Sequence, residues 1–142
     1  MKTKVLVSAC LLGQCCKYNG GHNYDPQVEA FLKDKISFPI CPEAMAGLGT
    51  PRTPIEIVEG VLLDRYGNNV HDQVREAVDQ VLELARKEQI TLAVLKSRSP
   101  TCGVRQVYDG TFSGTLIDGA GVLAQALMDA GLQVLDAEEL HG

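Results

Sequence analysis

The sequence predicts a small Rossmann-like three-layer α/β sandwich with a mainly parallel sheet and a β-hairpin excursion, one domain spanning residues 1–142. Three observations predict it. Short apolar runs of strand length recur along the chain, stretches with helical apolar spacing alternate with them, and Gly, Pro and Asn separate the two. Strands alternating with helices make βαβ units, whose right-handed crossovers leave a parallel sheet with helices on its faces.

The first strand, about residues 4–9, holds Val5-Leu6-Val7 and runs into a loop of Cys, Gly and Asn residues, 13–21. Asp25-Pro26 reads as a helix cap followed by a first-turn proline, with Val28, Phe31 and Leu32 at helical spacing. A second strand, about 36–40, leads to Cys41-Pro42-Glu43, and a Gly/Pro-rich loop follows over 47–54. Residues 55–58 and 61–64 flank Glu59-Gly60 as a β-hairpin. The longest helix, about 70–88, carries an apolar stripe of Val70, Val74, Val78, Val81, Leu82 and Ala85. A third buried strand, about 91–96, delivers the loop Ser99-Pro100-Thr101-Cys102-Gly103. Beyond a polar, Gly-rich stretch, Asp118 is expected to cap a last major helix that Gly131 ends, and Gln133-Val134-Leu135 reads as a final strand.

At 142 residues the chain is long enough to bury about 70% of its unfolded surface without disulfides. Its apolar runs are far shorter than the roughly 20 residues a membrane span needs, and Met1-Lys2-Thr3-Lys4 lacks the form of a signal peptide. The expectation is a cytoplasmic protein whose cysteines are ligands or catalysts rather than disulfides. A net charge of −5 argues against extensive nucleic-acid binding and favours a small-molecule partner. Arg52, Lys96, Arg98 and Arg105 in the candidate loops leave room for a polar or anionic ligand. No feature specifies an oligomeric state.

Three cysteines carry the chemical signal. Cys10, Cys41 and Cys102 each lie just beyond a predicted strand. If the strands are parallel neighbours, the three thiols meet at the edge where open α/β sheets place ligands. Three thiolates there suit a metal ion or an iron–sulfur centre with one position left open for chemistry. Singly, each cysteine reads equally well as a small buried hydrophobe. Cys15 and Cys16 are vicinal and poorly disposed to share an ion, so they read as a spare ligand, a redox-sensitive thiol or loop filler.

Glu43, two residues past Cys41, is the acid–base candidate, a carboxylate at the rim of a partly apolar pocket. Ser99 is placed to orient a substrate or water, whereas the Thr101 hydroxyl is expected to cap backbone groups. Lys96 reads as a strand-end charge or a pocket cation. Asp118-Gly119-Ala120-Gly121 lacks the dinucleotide and P-loop patterns, and its glycines read as a tight turn with close packing. His22, His71 and His141 have no metal-type spacing.

In order, Ser8-Ala9-Cys10-Leu11-Leu12-Gly13, Cys41-Pro42-Glu43, Pro51-Arg52, Lys96-Ser97-Arg98-Ser99-Pro100-Thr101-Cys102-Gly103 and Tyr108-Asp109-Gly110-Thr111-Phe112 resemble a bacterial family long known as a domain of unknown function. Its characterised members are thiouracil desulfidases of the TudS type, and the resemblance runs over nearly the whole chain. It implies a [4Fe–4S] cluster held by Cys10, Cys41 and Cys102, with Glu43 handling protons and Ser99 at the active site. Thr101 stands where the family often has serine. The implied reaction converts 2-thiouracil, or a related thiolated pyrimidine base or nucleoside, to the oxo form with release of sulfide and no electron transfer. Zinc on the same cysteines, making a hydrolase, and a non-catalytic iron–sulfur sensor or sulfur-trafficking module are the alternatives. The zinc nucleobase-deaminase pattern, His-x-Glu with Pro-Cys-x-x-Cys, is absent. A hydrolase with Cys102 as nucleophile lacks an evident histidine base.

Overall fold

The computed structural model describes residues 2–141. Its centre is a four-stranded sheet of order β2-β1-β5-β8, formed by Lys4–Ser8 (β1), Ile36–Ile40 (β2), Leu92–Leu95 (β5) and Gln133–Asp136 (β8). Every pairing in it is parallel, with Leu6 opposite both Phe38 and Ala93. The period-two alternation of β1 sorts its side chains to two faces. Val5 and Val7 pack with Val28 and Leu32 of α1 (Pro26–Leu32) and with Val94. Leu6 packs on the other face with Val74, Val78 and Val81 of α3 (His71–Lys87) and with Leu123 and Leu127 of α4 (Val122–Asp129). Both faces of the sheet are thus covered, the condition under which parallel sheets occur. Pro39 is accommodated because β2 is an edge strand, where a missing N–H costs no ladder bond.

Most elements lie where the pattern put them, with ends within a residue. Asp25 caps α1 through its Oδ1, which accepts from the N–H groups of Gln27 and Val28, and Pro26 fills the first turn. The hairpin of β3 (Ile55–Val58) and β4 (Val61–Asp64) turns on Glu59 and Gly60, both at positive φ (51° and 81°), as a two-residue hairpin turn requires.

Two parts differ. The polar stretch after Cys102 contains a second hairpin, β6 (Gln106–Tyr108) with β7 (Leu116–Asp118). Its strands are three residues each, too short to show a period, and buried Glu56 ties them to the first hairpin by accepting from the N–H groups of Gly110 and Phe112. Asp118 accordingly ends β7 and caps no helix. The N-cap of α4 is Gly121, and the helix's first N–H groups are met by main-chain carbonyls: Val122 by Pro100 at 3.0 Å and Leu123 by Thr101 at 2.9 Å. A Cβ on Gly121 would lie 2.5 Å from the Thr101 carbonyl, so the helix start seats directly on the Cys102 loop.

Candidate active site

The chain leaves β1 to form β2 on one side, then returns to form β5 on the other side of β1. The loops after β1 and β5 therefore diverge, opening a crevice at the C-terminal edge of the sheet, a topological switch point. A cleft of about 520 Å³ lies there, within the usual range of small-molecule sites. Cys10, Cys41, Glu43, Ser99 and Cys102 all line it, as does Cys16.

Each residue is held by its own local structure. Cys10 sits in a 3₁₀ turn, Ala9–Leu12, directly after β1. Asn23 returns to it twice, its N–H on the Cys10 carbonyl at 2.9 Å and its Nδ2 on the Cys10 Sγ at 3.3 Å. Cys41 is the N-cap of a single-turn helix, α2 (Pro42–Met45), with Pro42 in its first turn. That helix carries Glu43 as its second residue, two past Cys41. Cys102 follows a turn closed by Ser99, whose Oγ accepts from the N–H groups of Thr101 (3.1 Å) and Cys102 (3.0 Å).

Glu43 lines the partly apolar cleft, and both of its carboxylate oxygens have polar partners. Its Oε1 pairs with Arg52 Nε at 3.0 Å and its Oε2 accepts from the Thr101 hydroxyl at 3.0 Å. The side chains of Arg52 and Glu43 are only 8% and 13% exposed, so solvent screens this pair little. Arg52 also donates from Nη1 to the Gly49 carbonyl and Thr50 Oγ1, and from Nη2 to the Cys16 carbonyl. These bonds fasten the Cys16 loop and the 47–54 loop around Glu43. Thr101, expected on the backbone, is the side chain that fixes the second carboxylate oxygen. Ser99 makes the backbone contacts instead, while still facing the cleft.

The remaining cations divide. Lys96 lines the cleft and donates its Nζ to the Ser97 carbonyl and hydroxyl. Arg98 pairs with Glu138 at the cleft's edge. Arg105 lies elsewhere, paired with Glu139 in a neighbouring cleft of about 490 Å³. Cys15 is exposed and outside the cleft. Asn23 is the contact that sequence reasoning missed, because it depends on how residues 14–22 fold back.

Burial pushes the Cys102 thiol up strongly, and the neighbouring Cys10, Cys41 and Glu43 push it further. Burial likewise raises Cys10, with Cys41 adding to it, and lifts Cys16 from 9.0 to about 12 with help from Cys41 and Cys10. These thiols sense one another's charge, and a cationic group among them relieves what burial and mutual repulsion oppose. Among the described residues, no three His, Cys, Asp or Glu side chains stand close enough to hold a single ion. Three thiols lining one cleft are a donor set that either zinc or an iron–sulfur cluster accepts.

Fold and cleft together define an α/β protein with a thiol-rich site at the switch point of a parallel sheet. The chain belongs to the 2-thiouracil desulfurase family, whose profile matches residues 5–139. It is similar to YbbK of Bacillus subtilis (strain 168), described only as uncharacterized, at 35% identity over 96% of this chain and 97% of that protein. Among solved structures it is similar to the [4Fe-4S]-dependent thiouracil desulfidase TudS, with a TM-score of 0.92 and 32% identity over 99% of this chain and 94% of that one. No helix among the described residues is long and apolar enough to cross a membrane.

Proposed function

We propose that the protein is a desulfidase that hydrolyses the C=S bond of 2-thiouracil or a related thiolated pyrimidine. The reaction takes one water, leaves a carbonyl and releases hydrogen sulfide, with no net electron transfer. The observation that carries this reading is the meeting of Cys10, Cys41, Cys102 and Glu43 in one cleft of a chain of this family.

Cys10, Cys41 and Cys102 are the residues that would hold a [4Fe–4S] cluster, one thiolate to each of three irons. When bound, such a cluster supplies a Lewis-acidic iron without a protein ligand, whose preference is for soft sulfur over oxygen. The protein's own groups do the rest. Glu43 takes a proton from the attacking water and gives it to the sulfur. It then takes the new hydroxyl's proton as the carbonyl forms and passes it on, so that both water protons leave with the sulfur as hydrogen sulfide. Arg52 and Thr101 fix both oxygens of that carboxylate, so its position is set before substrate arrives. Tyr18, Tyr108 and Phe112 on the cleft wall offer flat apolar surface to a pyrimidine ring and limit water. Ser99, its oxygen already accepting two N–H groups, keeps its own hydrogen to donate towards a bound base.

The test is iron and acid-labile sulfide per chain after anaerobic reconstitution, with 2-thiouracil turnover followed on the same sample. About four of each per chain, with sulfide release lost on Glu43→Ala, supports the reading. Zinc in place of iron turns it into the hydrolase, and a full cluster without turnover into the sensor.

A further inference from the structure

The three thiols are not equivalently surrounded, and the difference has a consequence for any cluster they hold. Cys10 alone, among the described residues, accepts a side-chain amide: Asn23 Nδ2 stands 3.3 Å from its Sγ. Cys41 has instead the Cys16 carbonyl at 3.9 Å, a weak acceptor for a thiol proton that disappears once a metal takes the sulfur. We propose that Asn23 is a positioning residue for the cluster, its side-chain amide donating to the Cys10 thiolate, fixing that ligand's direction and drawing charge from its sulfur.

The inference rests on the three-cysteine reading of the site, and the geometry favours it in three ways. The segment carrying Asn23 is bound by its main chain to the 3₁₀ turn that carries Cys10, through Asn23 N–H to the Cys10 carbonyl and Asp25 N–H to the Leu11 carbonyl, both at 2.9 Å. The amide is therefore aimed by backbone bonds that no side-chain substitution removes. Its nitrogen faces the sulfur, and only that end suits an anionic thiolate, since the amide oxygen would be repelled. It is also neutral, so it donates to the sulfur without adding a charge to a cleft that already holds Lys96 and Arg52. Hydrogen bonds to cluster sulfurs raise the reduction potential by stabilising the more negative state, and groups behind the ligands orient them. A cluster poorer in electrons is also the better Lewis acid, which links Asn23 to turnover.

The experiment uses the full chain, reconstituted anaerobically with ferrous iron and sulfide, and reads the midpoint potential of the bound cluster. Asn23→Leu, which keeps the size and removes the donor, is expected to shift the potential to more negative values at unchanged iron content. Asn23→Asp, which puts an anion at the same place, shifts it further in the same direction. Potentials equal to the wild type in both variants overturn the proposal. So does lower cluster yield with an unmoved potential, which is the mark of a merely structural role. A measurement on the wild-type chain stands apart from the variants' folding: with ¹⁵N in the asparagine side chains, the reduced cluster should show a ¹⁵N hyperfine coupling. Its absence overturns the proposal whatever the variants do. Failure of the wild type to take up iron at all is a different result, and refutes the cluster reading itself.

Discussion

At the scale of residues, the most heavily committed side chain in the cleft is Arg52. One guanidinium meets Glu43, two carbonyls and a hydroxyl, in directions that the planar fork of arginine matches and a lysine ammonium does not. Arg52→Lys should therefore retain a positive charge yet leave Glu43 free to swing. A loss of about 10- to 100-fold in kcat, with KM and cluster content little changed, is the expected outcome. Thr101→Val removes the other restraint at nearly constant volume and should lower kcat by a smaller factor. Steady-state kinetics beside iron analysis checks both, and kcat equal to the wild type in both variants would show that Glu43 needs no such holding.

At the scale of elements, the contact that matters is between the start of α4 and the turn bearing Cys102. The helix's unsatisfied N–H groups and the turn's unsatisfied carbonyls serve each other, so neither requires a capping side chain. That exchange needs the two backbones closer than any Cβ permits, and Gly121 is where they touch. Gly121→Ala should cost about 1–3 kcal/mol through overpacking, and the loss should fall on the site as well as on stability. Thermal unfolding should drop, and iron content after reconstitution should drop with it. A destabilised variant that still binds the wild-type complement of iron would separate the helix from the site.

At the scale of the whole molecule, burying thiols together makes the metal-free chain sensitive to pH. An ordinary thiol releases its proton near 9.0, whereas Cys16 in the fold is pushed up to about 12 and Cys102 is raised strongly as well. Between those values the unfolded chain gives up protons that the folded chain keeps. Stability is thus complete below about pH 9 and falls as pH rises towards 12. Urea unfolding of the metal-free chain at neutral pH and at about pH 10.5 should show the decline, and Cys16→Ser should make it shallower. A midpoint independent of pH across that window would contradict the raised thiols.

Much of this was legible in the chain itself. The strand and helix periods of Val5–Val7 and of Val74, Val78 and Val81 follow from which side chains avoid water, and local pattern suffices to read them. The placing of Cys10, Cys41 and Cys102 each just past a strand, and of Glu43 beside Cys41, is likewise a matter of sequence distance. The second hairpin was not legible, because strands of three residues carry no period and are held by a distant carboxylate, Glu56. Nor was the start of α4, since its cap is the backbone of another loop and not a side chain of its own. The tertiary structure alone decided the strand order that turns three separate loops into one cleft. It also decided the partners inside that cleft: Arg52 and Thr101 on Glu43, and Asn23 on Cys10. Those contacts span 9, 58 and 13 residues. Their polar atoms meet only because the apolar faces beneath them have already fixed where each loop must go.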